Sequence, residues 1–546
     1  MRLSKSRSPI DPCQPKGGAR RGQRRALRAS LVPALCLLAA ACVSEPEKPA
    51  SVEVGEVVQG FAGGAAADEP RAALVAQEVL ARQGTAADAA VALGFALAVT
   101  YPVAAGLGGG GMCVVHDAAT DSVETLEFLP RMPIAGGPVA VPGMVRGLAA
   151  LHSSFGRFEW GQLVSPAEAL ARRGHPVSRA LTRRLAAVRS KIDRHPGLSS
   201  RFVDAAGQAL EEGRDFVQVE LSALLAQIRV RGPGEFYVGQ AAVTLVNGAR
   251  EAGGTLTLAD LRAYRPSWRK SVSGRLREFQ LHTTPAPMTG GIIAGQMLTM
   301  VADDGRYAKA SAEQRPHLLA EASQRAYVDR DGAAARPLSA FRANALMSSY
   351  RPDRHTTTKM PGLLPAPLDT GAGGTTSFTV VDREGSAVAC VLTMGGELGD
   401  GAVARGSGVV LAPPPDGADL AYLGPLLVLD GAGKEVILVA TASGGVSGPA
   451  ALAQTALVVV GAHESLPAAI DAGRISHPGR PDVTLIEPDM ATAAEALRQR
   501  GHRLRERAAT ARVNAIHCPG GLASAGSACV FRADRRGFGL ALGGAL

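Results

Sequence analysis

A glycine followed by two threonines, at residues 374–376, opens a predicted β-strand that continues to Asp382. A threonine hydroxyl is a weak nucleophile, and a free α-amino group on the same residue can activate it as a general base. That amine exists only if the chain is cut directly before the threonine. Gly374 suits such a cut because glycine, which has no Cβ, tolerates a strained backbone. Taken alone, the same residues are more typical of an ordinary threonine-rich strand.

The segment in front of this strand is rich in proline and glycine. Residues 359–374 have little hydrophobic periodicity, which is typical of an exposed linker. Alternating patterns after it predict strands at 376–382, 386–393, 407–411, 426–430 and 435–441, then a helix beginning near Gly448. Patterns before it predict helix at 70–100, strands at 112–116 and 123–128, and mainly helix at 143–232. Two stacked sheets covered by helices on both outer faces accommodate this order.

The positive charge of the chain is concentrated at its start. The 546 residues carry a net charge of +9, and nine Lys/Arg with one Asp give residues 1–30 a charge of +8. The remainder therefore carries only +1, which removes the main argument for a nucleic-acid partner. The glycines at 106–111 lack the Lys and Ser spacing of a phosphate-binding loop, so we expect no nucleotide site.

The basic start is followed by an apolar run at residues 31–41 and then Cys42. A basic segment, a short apolar segment and small residues before a cut describe a bacterial secretory signal that is too short to span a membrane. Small residues directly before a cysteine resemble a lipoprotein processing site, with Cys42 as the lipidated N-terminus. The alternative is an ordinary signal peptide cut nearby. Either signal predicts export to the periplasm, with membrane contact only through a lipid anchor.

Four further cysteines predict two core residues and leave one disulfide as an open alternative. Cys113 and Cys390 lie in apolar, strand-like runs and are expected in the core. Cys518 and Cys529 flank a loop of small residues, and a disulfide between them is one alternative in an oxidising compartment. The eleven histidines are scattered without metal-ligand spacing, so no metal and no cofactor are expected.

Other segments form an ordered set along the chain. They are residues 84–91 (GTAADAAV), 101–111 (YPVAAGLGGGG), 139–143 (VAVPG), 264–268 (YRPSW), 284–291 (TPAPMTGG), 317–322 (HLLAEA), 443–445 (SGG) and 534–537 (DRRG). In order and spacing they resemble segments of the γ-glutamyltransferase (glutathione hydrolase) family of N-terminal-nucleophile enzymes. The resemblance covers nearly the whole chain after the leader.

This resemblance implies an α/β fold, the αββα sandwich of N-terminal-nucleophile hydrolases, built from two fragments that self-cleavage produces. The chain would divide into a signal at residues 1–42, a large fragment at 43–374 and a small fragment at 375–546, which together form one domain as a heterodimer. By motif position, Thr375 is the nucleophile and its liberated amine is the base, with Thr376 as the fallback. Thr393 would hydrogen-bond the nucleophile, and the amides of Gly444 and Gly445 would form the oxyanion hole.

The positions that hold the glutamyl group depart from the family pattern. They carry Leu129 in place of arginine, Gly395 in place of asparagine, Gly417 in place of aspartate, and Ala421 and Tyr422 in place of two serines. Each lost charge-assisted hydrogen bond contributes roughly 1.5 to 3 kcal/mol, so two or three losses predict poor glutathione turnover.

Two nearby charges are candidate substitutes for the lost contacts. Arg131 lies two residues after Leu129, and Asp416 directly precedes Gly417. Side chains two apart on a strand share a face, which makes Arg131 a candidate for binding a carboxylate. The alternative is that both residues are solvated surface charges.

The resemblance implies an acyl-enzyme mechanism. The substrate would be a small γ-glutamyl compound or another acyl amide, and water or an amine would accept the acyl group. Because the glutamyl-binding positions are substituted, the alternative is a weakly active or inactive relative that serves as an exported envelope or binding protein.

Overall fold

Two β-sheets packed face to face form the centre of the molecule, and helices pack on both outer faces. The computed structural model describes residues 61–204, 206–302, 304–334, 338–358, 368, 373–415, 420–508, 511–522 and 529–545. These residues belong to one unit of the chain, Gly55–Leu546. The proposed signal with Cys42, most of the linker at 359–372, Asp416 and Gly417 lie outside the described residues.

The strands are numbered in chain order. They are β1 (Phe61–Ala67), β2 (Gly110–Asp117), β3 (Ser122–Phe128), β4 (His175–Pro176), β5 (Asp215–Phe216), β6 (Ser267–Lys270), β7 (Val272–Leu276), β8 (Phe279–Thr283), β9 (Thr375–Asp382), β10 (Ala387–Thr393), β11 (Val403–Ala404), β12 (Val409–Val410), β13 (Leu426–Leu429), β14 (Val436–Ser443), β15 (Ile475–Ser476), β16 (Thr484–Ile486), β17 (Leu504–Glu506), β18 (Arg512–His517), β19 (Val530–Ala533) and β20 (Leu540–Ala545). One central sheet has the order β20-β1-β9-β10-β2-β3-β6, and the other has the order β19-β18-β14-β13-β8-β7.

The helices are numbered in the same way. They are α1 (Pro70–Ala81), α2 (Ala86–Thr100), α3 (Met144–Phe155), α4 (Trp160–Arg173), α5 (Arg179–Ala187), α6 (Arg189–Arg194), α7 (Pro196–Phe202), α8 (Val219–Arg231), α9 (Glu235–Val238), α10 (Gln240–Glu251), α11 (Leu258–Ala263), α12 (Gly290–Ala302), α13 (Arg306–Lys309), α14 (Arg315–Ala334), α15 (Ala340–Met347), α16 (Gly448–Ala456), α17 (Leu466–Asp471) and α18 (Ala491–Gln499). Helices α1 to α3 pack on the first sheet, whereas α12 and α16 pack on the second.

Apolar side chains on the facing sides of the two sheets hold the sandwich together. Val114 and Val381 of the first sheet are buried with Leu427, Val439 and Ile516 of the second. Alternating residues of a strand point to opposite faces, so each sheet also presents an apolar outer face to its helices. The site described below lies where β9, β10 and β14 meet at one end of this core.

The long predicted helix at 70–100 is in fact two helices. A capping box divides them: the Thr85 hydroxyl accepts a hydrogen bond from the Asp88 amide, and the Asp88 carboxylate accepts one from the Thr85 amide. These bonds satisfy amides that a helix start leaves without partners. All fifteen residues of α2 are buried, which explains why its sequence shows alanine enrichment without a polar face.

The predicted strands at 112–116, 123–128, 376–382, 386–393, 426–430 and 435–441 are confirmed to within a few residues by β2, β3, β9, β10, β13 and β14. The predicted strand at 407–411 shortens to the two residues of β12, because its partner β11 is itself only two residues long. Among the described residues, no helix combines the length and apolar character needed to cross a bilayer.

Two disulfides join the described cysteines. Cys518 and Cys529 are bonded, which confirms that alternative. Cys113 and Cys390 are buried as expected, but they also bond to each other, which the prediction of separate core thiols missed. They face each other in the register of β2 and β10, and sequence separation of 277 residues concealed that pairing.

Candidate active site

The two threonines predicted to act together lie side by side. Thr375 is the first residue of β9, Thr393 is the last residue of β10, and the two residues are directly opposite in the antiparallel register. Opposed residues in such a pair have Cβ atoms roughly 5 Å apart. Both threonines are buried, and the Thr393 hydroxyl accepts a hydrogen bond from the Gly395 amide at 3.0 Å. The register therefore holds a fixed hydroxyl beside Thr375.

The peptide bond before Thr375 has an unusual environment. Gly374 has a φ of +60°, and a Cβ added there would lie 2.0 Å from both the carbonyl carbon and the carbonyl oxygen of Gly396. Only glycine fits this position without moving backbone. The Gly374 carbonyl accepts a hydrogen bond from the Met394 amide at 2.9 Å. The carbonyl that a cut would attack is therefore already polarised by a backbone donor.

The predicted oxyanion glycines follow the end of β14. Gly444 has a φ of +116° and Gly445 a φ of +69°, both in the left-handed region that favours glycine. Ser443, the last residue of β14, donates its hydroxyl to Asp68 at 2.8 Å, and Thr376 donates its hydroxyl to the same carboxylate oxygen at 3.0 Å. This shared acceptor places the glycine pair beside the start of β9.

A buried ion pair that the sequence did not reveal lies beside the candidate nucleophile. The Arg512 guanidinium lies 3.5 Å from the Asp68 carboxylate and donates to the Ser443 hydroxyl at 3.0 Å and to the Thr375 carbonyl at 3.3 Å. Asn514 donates to the other Asp68 oxygen at 2.8 Å. Burial lowers the pKa of Arg512, but the Asp68 charge raises it overall, so the guanidinium stays charged.

We call Asp68, Thr376, Ser443, Arg512 and Asn514 the nucleophile network. The sequence feature that could have predicted this network is the charged residue Asp68, directly after β1, a strand of small, apolar residues. Arg512 and Asn514 are in β18, more than 130 residues beyond Thr375, and nothing in their local sequence connects them to it.

The predicted substrate positions lie in different environments. Leu129 is buried in an apolar cluster that includes Met288, Val391 and Leu423. Arg131 is exposed, and its guanidinium lies 4.9 Å from the ring centroid of Tyr264. Its role in carboxylate binding stays a prediction.

The environments of the other predicted substrate positions are as follows. Gly395 has a φ of +69°, the Ala421 carbonyl accepts a hydrogen bond from Thr289, and Tyr422 is buried with its ring 5.9 Å from that of Tyr327. Asp416 and Gly417 lie outside the described residues.

A second polar cluster, which is mostly buried, lies outside these positions. We call it the histidine cluster, and it consists of His317, Glu321, His355, His477, Asp482 and His502. One ring nitrogen of His355 is hydrogen-bonded to the Glu321 carboxylate at 2.5 Å, and the other is hydrogen-bonded to the Asp482 carboxylate at 2.9 Å. Burial lowers the pKa of His355, but these two carboxylates raise it overall.

The other three imidazoles of the cluster favour the neutral form. Burial lowers the pKa of His502 to about 3 and also lowers the pKa values of His317 and His477. This residue set is of a kind that binds divalent metals, and its convergence could not be predicted from scattered histidines. However, hydrogen bonds within the protein already engage every ring nitrogen of the four histidines.

Comparisons with known proteins match this architecture. The family model for gamma-glutamyltranspeptidase matches residues 72–416 and 419–537. The glutathione hydrolase proenzyme of Escherichia coli strain K12 is 31% identical over 424 residues, which cover 71% of this chain and 72% of that protein. Scoloptoxin SSD14 of Scolopendra dehaani is 28% identical over 473 residues, which cover 76% of this chain and 82% of the toxin.

A solved structure shows the same fold. The cephalosporin acylase from Bacillus halodurans superposes with a TM-score of 0.76 at 21% identity, covering 91% of this chain and 99% of that one. Together with the family match, this likeness confirms the predicted αββα sandwich.

Proposed function

Because the chain belongs to the gamma-glutamyltranspeptidase family, we propose that it cleaves itself between Gly374 and Thr375 and then uses Thr375 as an N-terminal nucleophile. Membership makes it an enzyme of the acyltransferase and hydrolase type. The observation that carries the proposal is the position of Thr375 at the start of β9, opposite Thr393 and after a glycine in a left-handed conformation.

The self-cleavage step begins with attack of the Thr375 hydroxyl on the Gly374 carbonyl carbon. The hydroxyl loses its proton, the C–N bond breaks, and the acyl group moves from nitrogen to oxygen. The Met394 amide, at 2.9 Å from the Gly374 oxygen, is positioned to stabilise the developing negative charge. Water then hydrolyses the ester and leaves a Gly374 carboxylate and a free Thr375 amine.

In turnover, the Thr375 amine takes the proton of its own hydroxyl as the oxygen attacks the acyl carbonyl of the substrate. An α-amino group has a pKa of roughly 8, which suits proton transfer near neutral pH. Gly444 and Gly445 would donate amide hydrogens to the tetrahedral oxyanion, and one such donor contributes roughly 3 kcal/mol. The amine leaving group takes the proton, and water or an amine acceptor then resolves the acyl-enzyme ester.

The acyl donor is a γ-glutamyl compound such as glutathione or a related acyl amide. Family membership supports this choice, and the substituted glutamyl-binding positions, Leu129 among them, argue for weak glutathione turnover. The same substitutions support the alternative of an inactive envelope or binding protein. Self-cleavage without turnover of any acyl amide would favour that alternative.

Substitution of the nucleophile tests the proposal. Thr375→Ala should remain uncut and should not release 4-nitroaniline from γ-glutamyl-4-nitroanilide, because the attacking oxygen is gone. Thr379→Val is a matched control, since Thr379 is buried on the same face of β9 and its hydroxyl has no hydrogen-bond partner within the described chain. Turnover by Thr375→Ala, or loss of cleavage in Thr379→Val, would contradict the assignment.

We also infer that residues 1–42 direct export and that Cys42 carries a lipid in the periplasm. The basic and apolar segments support this inference, and so do two disulfides, which persist in oxidising compartments. Cys42→Ser should release the protein from the membrane fraction. An unchanged distribution between membrane and soluble fractions would contradict lipid attachment.

A further inference from the structure

Arg184, on α5, is a buried cation with unused hydrogen-bond donors. It is 8% exposed, and its Nε donates to the Glu397 carboxylate at 2.6 Å. Its Nη1 and Nη2 are also buried, and within the described part of the chain neither has a hydrogen-bond acceptor. Leaving charged donors buried without partners is costly, so such a group usually has a ligand or water opposite it.

The loop after β10 fixes Arg184 close to the candidate nucleophile. Glu397 directly follows Gly396, the residue whose carbonyl would collide with a Cβ on Gly374. Lys191 donates to the Glu397 carbonyl at 2.9 Å and to the Gly399 carbonyl at 2.7 Å, which holds this loop in place. The Arg184–Glu397 pair therefore lies on the loop that packs against the proposed cleavage site.

Electrostatic interactions also connect this region to the nucleophile. The Arg184 guanidinium carbon lies 5.8 Å from the ring centroid of Tyr101. Burial lowers the pKa of Arg512, and Asp68 raises it most, but Tyr101 and Glu397 raise it as well. Because Arg512 donates to the Thr375 carbonyl, charges at this loop act within range of the candidate nucleophile.

We propose that Arg184 binds a carboxylate of the acyl donor through Nη1 and Nη2, while Glu397 holds the guanidinium in position. The two amino groups form a planar fork that matches the two oxygens of a carboxylate. A singly charged group fits better than a phosphate dianion, because Glu397 already places one negative charge beside the guanidinium. The inference rests on the proposed function and narrows its substrate to acyl amides that carry a free carboxylate.

Two 4-nitroanilides with matched acyl chains test this assignment. Glutaryl-4-nitroanilide carries the carboxylate, and pentanoyl-4-nitroanilide has a methyl group in its place. In Arg184→Gln, KM for the glutaryl amide should rise about tenfold to 100-fold, and kcat/KM for the pentanoyl amide should stay unchanged. An unchanged KM for the glutaryl amide, or an equal loss with both amides, would overturn the proposal.

Further variants separate binding from folding. Arg184→Gln leaves Glu397 without its cation, so the double variant with Glu397→Gln provides a neutral pair and should show the same loss of glutaryl preference. Arg183→Gln removes an exposed arginine from the same helix and should retain the wild-type KM. Loss of the glutaryl preference in Arg183→Gln as well would overturn the assignment to Arg184.

Calorimetric titration with glutarate distinguishes failure of this inference from failure of the proposed function. Self-cleavage at Thr375 is measured first in the wild type and in Arg184→Gln, and both should cut. If the wild type fails to cut or turns over neither amide, the proposed function fails, and glutarate binding still tests Arg184. Glutarate should bind the wild type and lose its affinity in Arg184→Gln, whereas equal affinities would overturn the assignment.

Discussion

The nucleophile network and the histidine cluster are both polar and largely buried, but they consist of different chemical groups. The nucleophile network consists of hydroxyls, an amide and the Asp68–Arg512 ion pair, and carboxylates and guanidinium groups ordinarily titrate far from neutral pH. The histidine cluster places four imidazoles against two carboxylates, and imidazoles ordinarily titrate near neutral pH. The first region can therefore hold its geometry over a wide pH range, whereas the second should respond to pH.

Both regions also join residues from either side of the proposed cut. Asp68 meets Ser443 and Arg512, while His355 meets Asp482. After cleavage these contacts would hold the two fragments together, with the Cys113–Cys390 disulfide as a covalent link beside the nucleophile network. We therefore expect the contacts of the nucleophile network to persist as pH changes, and the His355 contacts of the histidine cluster to weaken as pH rises above about 6.5.

The largest expected effect is on cleavage itself, in Gly374→Ala. A Cβ at this position would lie 2.0 Å from the Gly396 carbonyl, and the φ of +60° disfavours any side chain. The scissile bond must then leave its present geometry, so the purified protein should remain one uncut chain on a reducing gel. Gly373→Ala, at the preceding glycine with a φ of +62°, controls for the effect of placing a side chain on a left-handed backbone. Cleavage of Gly374→Ala at the wild-type rate would show that the glycine geometry is not required.

Asp68→Asn should have the next largest effect, on stability. The change keeps the shape of the side chain but leaves Arg512 buried without its countercharge, and breaking such a pair typically costs about 3 to 5 kcal/mol. Denaturant unfolding of the uncut Thr375→Ala background measures this loss without the complication of fragments. Glu124→Gln, an exposed carboxylate on β3, should change stability little. Equal stability of Asp68→Asn and Glu124→Gln would show that the Asp68–Arg512 ion pair does not stabilise the fold.

The double variant Cys113→Ala/Cys390→Ala tests the covalent link. Self-cleaved wild type should migrate as one species without reductant and as two fragments with it, because the disulfide joins residues on both sides of the cut. The double variant should separate into two fragments under both conditions and lose about 2 to 4 kcal/mol of stability. Cys518→Ala/Cys529→Ala, which removes a disulfide within the small fragment, should migrate like the wild type. Wild-type fragments that separate without reductant would contradict the link.

The smallest expected effect is a change in pH dependence in His355→Gln. Because Glu321 and Asp482 raise the pKa of His355 above its unfolded value of about 6.5, the folded state retains a proton that the unfolded state releases. Stability from this proton is present below pH 6.5 and is lost as pH rises through the folded pKa, by at most about 1.4 kcal/mol per pH unit.

Other groups in the cluster act in a different pH window. His502, His317 and His477 have lowered pKa values, so they reduce stability as pH falls below about 6.5 in both proteins. Unfolding measured from pH 6.5 to 8.5 should show a downward slope in the wild type that His355→Gln lacks. Identical slopes in the two proteins would show that His355 is not a bridging cation.

Local sequence patterns were enough to predict the strands that carry the candidate nucleophile. The β-branched and alternating residues of β9 and β10 predicted both strands, and a short connection made them antiparallel neighbours that bring Thr375 opposite Thr393. The αββα fold followed from the resemblance of ordered motifs, which the family match and the solved neighbour confirm.

The groups around the nucleophile depend on register across distant strands, which local patterns do not encode. Arg512 reaches Asp68 only because β18 pairs with β14 and the second sheet packs against the first. The same limit concealed the Cys113–Cys390 disulfide. The burial of Arg184 could not be predicted either, because an arginine in an amphipathic helix ordinarily lies on the solvent face.

Self-cleavage at Thr375 can be measured by N-terminal sequencing and intact mass of the purified mature protein, with Thr375→Ala measured alongside. Self-cleavage predicts a second N-terminus that begins at Thr375 in the wild type and a single uncut chain in the variant. A wild-type chain that stays uncut while folded, or a cut that persists in Thr375→Ala, would contradict self-cleavage by this threonine.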